Sequence, residues 1–164
     1  MTTIFIDMDG VVADFDGYAR RTLGIESKPG FRFDQNDWYR LREHSERIYS
    51  IVPVLPNAYE LIGRLKELRD QFGFDMRFLT AVPKENDLGW AFWDKMEWVC
   101  KHFPGIPVWF GPYSVDKQNH CKPGDILIDD RVNNIEQWPE HGILYQGDHE
   151  ITLNTIEQIL KDKS

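Results

Sequence analysis

The stretch TTIFIDMDGVVADFD, residues 2 to 16, limits what this chain can become more than any other. Side chains alternate along a strand, so Ile4 and Ile6 share one face, and Asp7 and Asp9 emerge together on one side past its end. Two carboxylates that close repel, and one pKa climbs unless a cation sits between them. The spacing therefore asks for a hard, oxygen-loving metal. Gly10 permits the sharp backbone escape that follows. A short DxDG also serves as a plain strand end and turn, so the downstream chain has to decide between the two readings.

Downstream, strands and helices alternate. Phe15, Tyr18, Ala19, Thr22 and Leu23 recur at helical spacing and Gly24 closes that segment. The turn-rich run from Glu26 to Asn36 opens an insert, and Asn36 or Asp37 can cap a helix to about Ser50 with Trp38, Leu41, Ser45, Ile48 and Val52 on one stripe. Pro53 and Pro56 end it, and Asn57 caps an amphipathic helix facing the core with Leu61, Leu65, Leu68 and Phe72. DMRFLT (75–80) reads as a strand ending in Thr80, GWAFWDKMEWVCKHF (89–103) as an aromatic helix, and IPVWF (106–110) as a third strand. A long loop carrying Lys117 follows, then the strand DILIDD (125–130), a helical turn at 133–138, the strand GILYQ (142–146) and a helix over about 152–161.

That rhythm predicts an α/β three-layer sandwich around a mainly parallel, five-stranded sheet with right-handed crossovers. Residues 1–16 and 53–164 form its core, and 17–52 form a small helical cap inserted after strand one. In such sheets ligands bind beyond the carboxyl ends of the strands, where strand order reverses. Asp7, Asp9, Thr80, Lys117, Asp129 and Asp130 are all expected at that edge.

A net charge of −8 argues against broad, charge-driven binding to nucleic acid and leaves room for a small anionic ligand met by a local cation and placed lysines. No apolar run approaches the ~20 residues that cross a bilayer, and the N-terminus enters a strand at once, so the expected location is the cytoplasm. Cys100 and Cys121 match no metal pair and are read as reduced thiols. His102, His120, His141 and His149 share no zinc-like spacing.

The group suits a phosphate ester. At about 4 Å and an effective dielectric of about 20, two like unit charges cost about 4 kcal/mol, so an attacking carboxylate needs a cation shared with the ester. Mg²⁺ on Asp7, the Asp9 backbone carbonyl and Asp130 provides it. Asp7 then acts as nucleophile and Asp9 as acid and base, while Thr80 and Lys117 take the phosphoryl oxygens.

The order of DxDGV, a strand ending in Thr, a loop Lys and a strand ending DD resembles the haloacid dehalogenase (HAD) superfamily of phosphohydrolases. DMDGVVADF (7–15), VPVLPNAYELIGRLKEL (52–68), MEWVCKHF (96–103) and DILIDDR (125–131) are similar to the 5'(3')-deoxyribonucleotidase family. The resemblance implies a magnesium-dependent nucleotidase acting on nucleoside monophosphates, deoxy forms preferred. It implies Asp7 as nucleophile, Asp9 as acid and base, Asp130 as the third metal ligand with Asp129 and Arg131 in support, and Phe15 near the base or sugar. Ala81 stands where the family usually has Ser, and FRFDQNDW departs from the family's aromatic base clamp.

Phe31, Phe33, Trp38 and Tyr39 can stack a nucleobase or form the cap's own core; Trp38 shares the stripe of Leu41 and Ile48, whereas Phe15 stands just beyond the catalytic turn and is read as meeting substrate. Lys84 is read as solvated. The aromatic helix with Trp90, Phe92, Trp93, Met96, Trp98 and Val99 is either a homodimer surface or a core helix with a wide stripe. The rival functions are a sugar, small-metabolite or polynucleotide 3'-phosphatase and a phosphoacceptor signalling domain. The last is disfavoured because the third strand ends in WFGP, without an Asp.

Overall fold

Short parallel strands of three to six largely apolar residues must be covered on both faces, and this chain covers them with helices. A computed structural model describes residues 1–26, 33–83 and 91–163. Its strands are β1 (Thr3–Ile6), β2 (Asp75–Thr80), β3 (Val108–Phe110), β4 (Ile126–Asp129) and β5 (His141–Leu144). They form one parallel five-stranded sheet in the order β3-β2-β1-β4-β5. The chain winds outward from β1 to β3, then crosses back to start β4 on the other side of β1. The carboxyl ends of β1 and β4 therefore flank the point where direction reverses.

The helices are α1 (Phe15–Leu23), α2 (Gln35–His44), α3 (Ile48–Ile51), α4 (Ala58–Phe72), α5 (Ala91–His102), α6 (Val132–Gln137) and α7 (His149–Asp162). Alternation along β1 divides the core. Ile4 and Ile6 join Phe78, Ile126, Leu61, Trp98 and Ile156 on one face, while Phe5 packs with Leu79, Leu127 and Trp138 on the other. Three layers result.

Residues 12–14 and 53–55 lie side by side, with Asp14 N–H donating to Pro53 O (2.9 Å) and Leu55 N–H to Val12 O (2.8 Å). The intervening helices α1 to α3 thus leave and return at neighbouring points beside the first turn.

Local details differ from expectation. The single helix expected up to Ser50 is two: Asp34, not Asn36 or Asp37, caps α2 through a reciprocal box with Asp37, and Ser45 turns extended to end it. Ser45 Oγ then accepts from Arg47 N–H (3.2 Å), which starts the chain toward α3. Asn57 does not cap α4 with its side chain; it sits left-handed at φ 65°. Helix α7 begins at His149 because Asp148 accepts from Ile151 N–H (3.1 Å). The loop expected to carry Lys117 holds a 3-10 helix, Ser114–His120. Phe31, Lys84 and Trp90 lie outside the described residues.

Candidate active site

The turn after β1 is fixed by its backbone. Asp7 N–H donates to Ile128 O (2.9 Å), which carries the β1–β4 pairing one residue further, and Val12 and Ala13 N–H both reach Met8 O (2.9 Å each). Met8, Val11 and Val12 fill the core beneath, so the turn cannot swing away from the sheet. Gly10 has φ +85°, and a Cβ there would lie 2.1 Å from Asp130 Oδ2. Only a residue without a Cβ lets Asp130 approach this closely.

Asp7 is buried and Lys117 more so. The Lys117 ammonium sits 2.8 Å from Asp7 Oδ1 and 2.7 Å from Asp129 Oδ2. Met8 N–H also donates to Asp7 Oδ1 (2.8 Å), so both bonds fall on one oxygen. Burial alone would pull the Lys117 ammonium down; Asp7 and then Asp129 outweigh it and hold its pKa above the ordinary lysine value. Asp129 also accepts from Asn134 Nδ2 at both oxygens (3.0 and 2.9 Å) and from Arg131 N–H (2.9 Å). Its burial and the Asp7 charge nonetheless push its carboxyl up.

Asp7, Asp129 and Asp130 offer oxygens within 4.8 Å of one another. The donor set is all carboxylate, the chemistry a hard divalent ion takes, and the Gly10 cradle leaves room for Asp130. Asp130 reaches solvent, yet the loss of water on its protein side, then the Asp7 and Asp129 charges, push its carboxyl up to about 7. These residues fit a magnesium-sized ion. Asp9 is not among them, because its carboxylate is engaged elsewhere.

That engagement is with Lys95, a residue the sequence reading did not single out. Lys95 Nζ donates to Asp9 Oδ2 (2.6 Å), Thr80 Oγ1 (2.9 Å) and Ala81 O (2.8 Å), and the residue is 1 % exposed. One ammonium thus joins the ends of β1 and β2. A signal existed: Ala91, Lys95, Trp98 and Val99 fall on one helical stripe, so Lys95 occupies a core-facing position of α5. Asn134, which orients Asp129, gave no such signal.

Phe15 is placed beside the turn but is 8 % exposed, stacked on Trp38 (centroids 5.6 Å apart, 21°) on one hand and on Tyr49 (5.0 Å, 20°) on the other. Phe33 meets Phe15 edge-on at 6.0 Å. The outer ring of the stack is the half-buried Trp38, and the inner ring, Tyr49, lies 4.7 Å from Lys95 Nζ. Tyr39 is exposed.

No match was found among curated protein sequences. Among solved structures, the HAD domain of the effector protein Lem4 from Legionella pneumophila (inactive mutant) shares 11 % identity at a TM-score of 0.47, covering 99 % of this chain and 97 % of that one. A likeness that loose says nothing of substrate. The sequence profile of the family described as "5' nucleotidase, deoxy (Pyrimidine), cytosolic type C protein" matches residues 1–161. With that match spanning nearly the whole chain, the protein belongs to this nucleotidase family and is a phosphatase.

Proposed function

We propose that the protein is a Mg²⁺-dependent phosphomonoesterase that dephosphorylates nucleoside monophosphates, deoxy forms preferred, through an aspartyl-phosphate on Asp7. The observation that carries this reading is the division of labour among carboxylates: Asp7 lies with Asp129 and Asp130, whereas Asp9 lies off that group on Lys95. The ion would be held by Asp7, Asp130 and the Asp9 backbone carbonyl, with Asp129 in support. When bound, it supplies positive charge shared by the attacking carboxylate and the ester.

Asp7 Oδ1 is held by Lys117 and the Met8 N–H, so Oδ2 is the oxygen left to attack phosphorus. As the Asp7–phosphorus bond forms, the bond to the ester oxygen breaks, and Asp9 gives that oxygen its proton. Water then attacks phosphorus, Asp9 takes its proton, and inorganic phosphate leaves with Asp7 restored. Thr80 and Lys117 meet the phosphoryl oxygens. In the arrangement described, Lys95 sits on Asp9; an incoming phosphate draws the ammonium onto its own oxygens and frees Asp9 to carry the proton.

Residues 17–52 act as the cap, with Trp38 the outermost ring of the Trp38–Phe15–Tyr49 stack and Phe15 its supporting wall. A base stacked there gains roughly 1–3 kcal/mol. The substrate is a small phosphomonoester and not a nucleic acid, in keeping with the acidic chain. We place the protein in the cytoplasm; no described helix is long and apolar enough to cross a membrane. A homodimer would pair through the exposed Trp93 and Met96 of α5.

The deciding experiment is phosphate release from a panel of nucleoside and deoxynucleoside monophosphates and sugar phosphates with Mg²⁺. Deoxynucleotides are expected to turn over first. Turnover confined to sugar phosphates would replace the substrate, and release indifferent to EDTA would remove the metal.

A further inference from the structure

Lys95 reaches the site from a helix that is itself held from outside the sheet. Arg47, between α2 and α3, donates through Nε to Asp94 and through Nη2 to Glu97, both on α5. Asp94 is 0 % exposed, and its Oδ2 has no hydrogen-bond partner among the described residues. Burial pushes the Asp94 carboxyl up, and Arg47 pulls it back. Two residues after Arg47, Tyr49 lays its ring against the Lys95 ammonium, and the Trp98 indole N–H donates to Val52 O (2.7 Å) at the end of α3. Residues 94, 95, 97 and 98 all belong to about one turn of α5. The segment around α3 thus grips the same turn that carries Lys95.

We propose that Arg47 is a positioning residue: by holding Asp94 and Glu97 it fixes the rotation and height of α5 that put Lys95 on Asp9 and Thr80. That Lys95 serves a reaction there rests on the phosphatase reading above. The physical reason for the grip lies in Asp94. A buried carboxylate whose counter-ion is removed must either take up a proton or turn toward water, and either change loosens its hold on the surrounding turn. Asp94 and Lys95 are consecutive on one rigid helix, so a rotation that releases the first withdraws the second.

The test measures acylation of individual lysines by acetic anhydride, followed by peptide mass spectrometry, and needs no turnover. In the parent protein Lys95 and Lys117 are both protected by burial. In Arg47→Met, Lys95 is expected to react at least about tenfold faster while Lys117 keeps its rate, and Arg47→Lys restores part of the protection. Glu97→Gln, an exposed change that removes one arm only, gives a smaller rise in the same direction. An unchanged Lys95 rate overturns the proposal, and so does a rise shared equally by Lys117, which signals general loosening.

The kinetic arm is a double-mutant cycle on p-nitrophenyl phosphate with Mg²⁺. Arg47→Met should lower kcat/KM about tenfold in the parent and have little further effect beside Lys95→Met. Additive losses overturn the proposal. A parent chain inert toward every phosphate ester, with the labelling pattern as expected, sinks the phosphatase reading and leaves the role of Arg47 in place.

Discussion

The ammonium of Lys95 lies 2.6 Å from Asp9 Oδ2 and 2.9 Å from Thr80 Oγ1, bridging the ends of two neighbouring strands from a helix. In the proposed mechanism this cation stands between the carboxylate that would carry the proton and the hydroxyl that would meet the phosphate. Lys95→Met is expected to lower kcat/KM by about 10²–10³, as loss of a preorganised charge at a phosphoryl site does. Steady-state kinetics on the preferred substrate checks this, and a variant retaining more than half of parental activity would remove Lys95 from the machinery.

Asp7→Asn keeps the shape of the side chain and an oxygen to accept from Lys117 and Met8 but removes the proposed nucleophile. Phosphate release should fall below detection while the protein still melts cooperatively. Residual turnover near the parental rate would mean that another group attacks phosphorus.

Gly10→Ala strains a backbone at φ +85° and places a Cβ 2.1 Å from Asp130 Oδ2, so Asp130 must move. The left-handed conformation alone costs an alanine about 1–2 kcal/mol. Mg²⁺ affinity by calorimetric titration is expected to drop at least about tenfold, the usual effect of disturbing a ligand's support. An unchanged affinity would mean that Asp130 does not hold the ion.

Lys117 separates two buried carboxylates, Asp7 and Asp129. Lys117→Met leaves them facing each other uncompensated, and urea unfolding should show a loss of about 3–5 kcal/mol in the metal-free protein. A loss under about 1 kcal/mol would show that Asn134 and the Arg131 N–H suffice for Asp129.

The Asp130 carboxyl, raised from 3.8 to about 7, gives a stability prediction with a definite sign. Between those values the folded chain binds more protons at this group than the unfolded one, so this group's contribution to stability falls as pH rises through that window. Below it Asp130 is neutral in both states and costs nothing. A bound cation removes the penalty. Mg²⁺ should therefore raise Tm more at pH 8 than at pH 5, as followed by thermal melts with Mg²⁺ and with EDTA. An equal shift at both pH values would contradict the assignment.

The strand edges and their aspartates were legible because short apolar runs bounded by Gly and Pro admit few alternatives; ILID after Pro123 and Gly124 is the clearest case. The break at Ser45 was not. Leu41 and Ile48 are both 1 % exposed and seven residues apart, a spacing that continues a helical stripe straight through the interruption. Missing that break also hid Tyr49, which the stripe left out and which the structure stacks on Phe15. Lys95 escaped notice for another reason. A lysine among aromatics usually runs its stem along the apolar surface and leaves its head in water. Only the three acceptors at or just beyond the ends of β1 and β2 show that this one does not, and they come from residues 9, 80 and 81.

The sheet order has a consequence for how the enzyme comes into being. β1, the first strand made, sits in the middle, and the Asp7 amide finds its acceptor only at Ile128. Until the ribosome has delivered that distant partner, the earliest strand of the sheet keeps one raw edge, and Asp7, the proposed nucleophile, lacks the second pair of aspartates. Catalytic competence should arrive all at once and late in synthesis, so that nascent chains halted before residue 125 show no phosphate release, and any activity from such chains would argue for a simpler site.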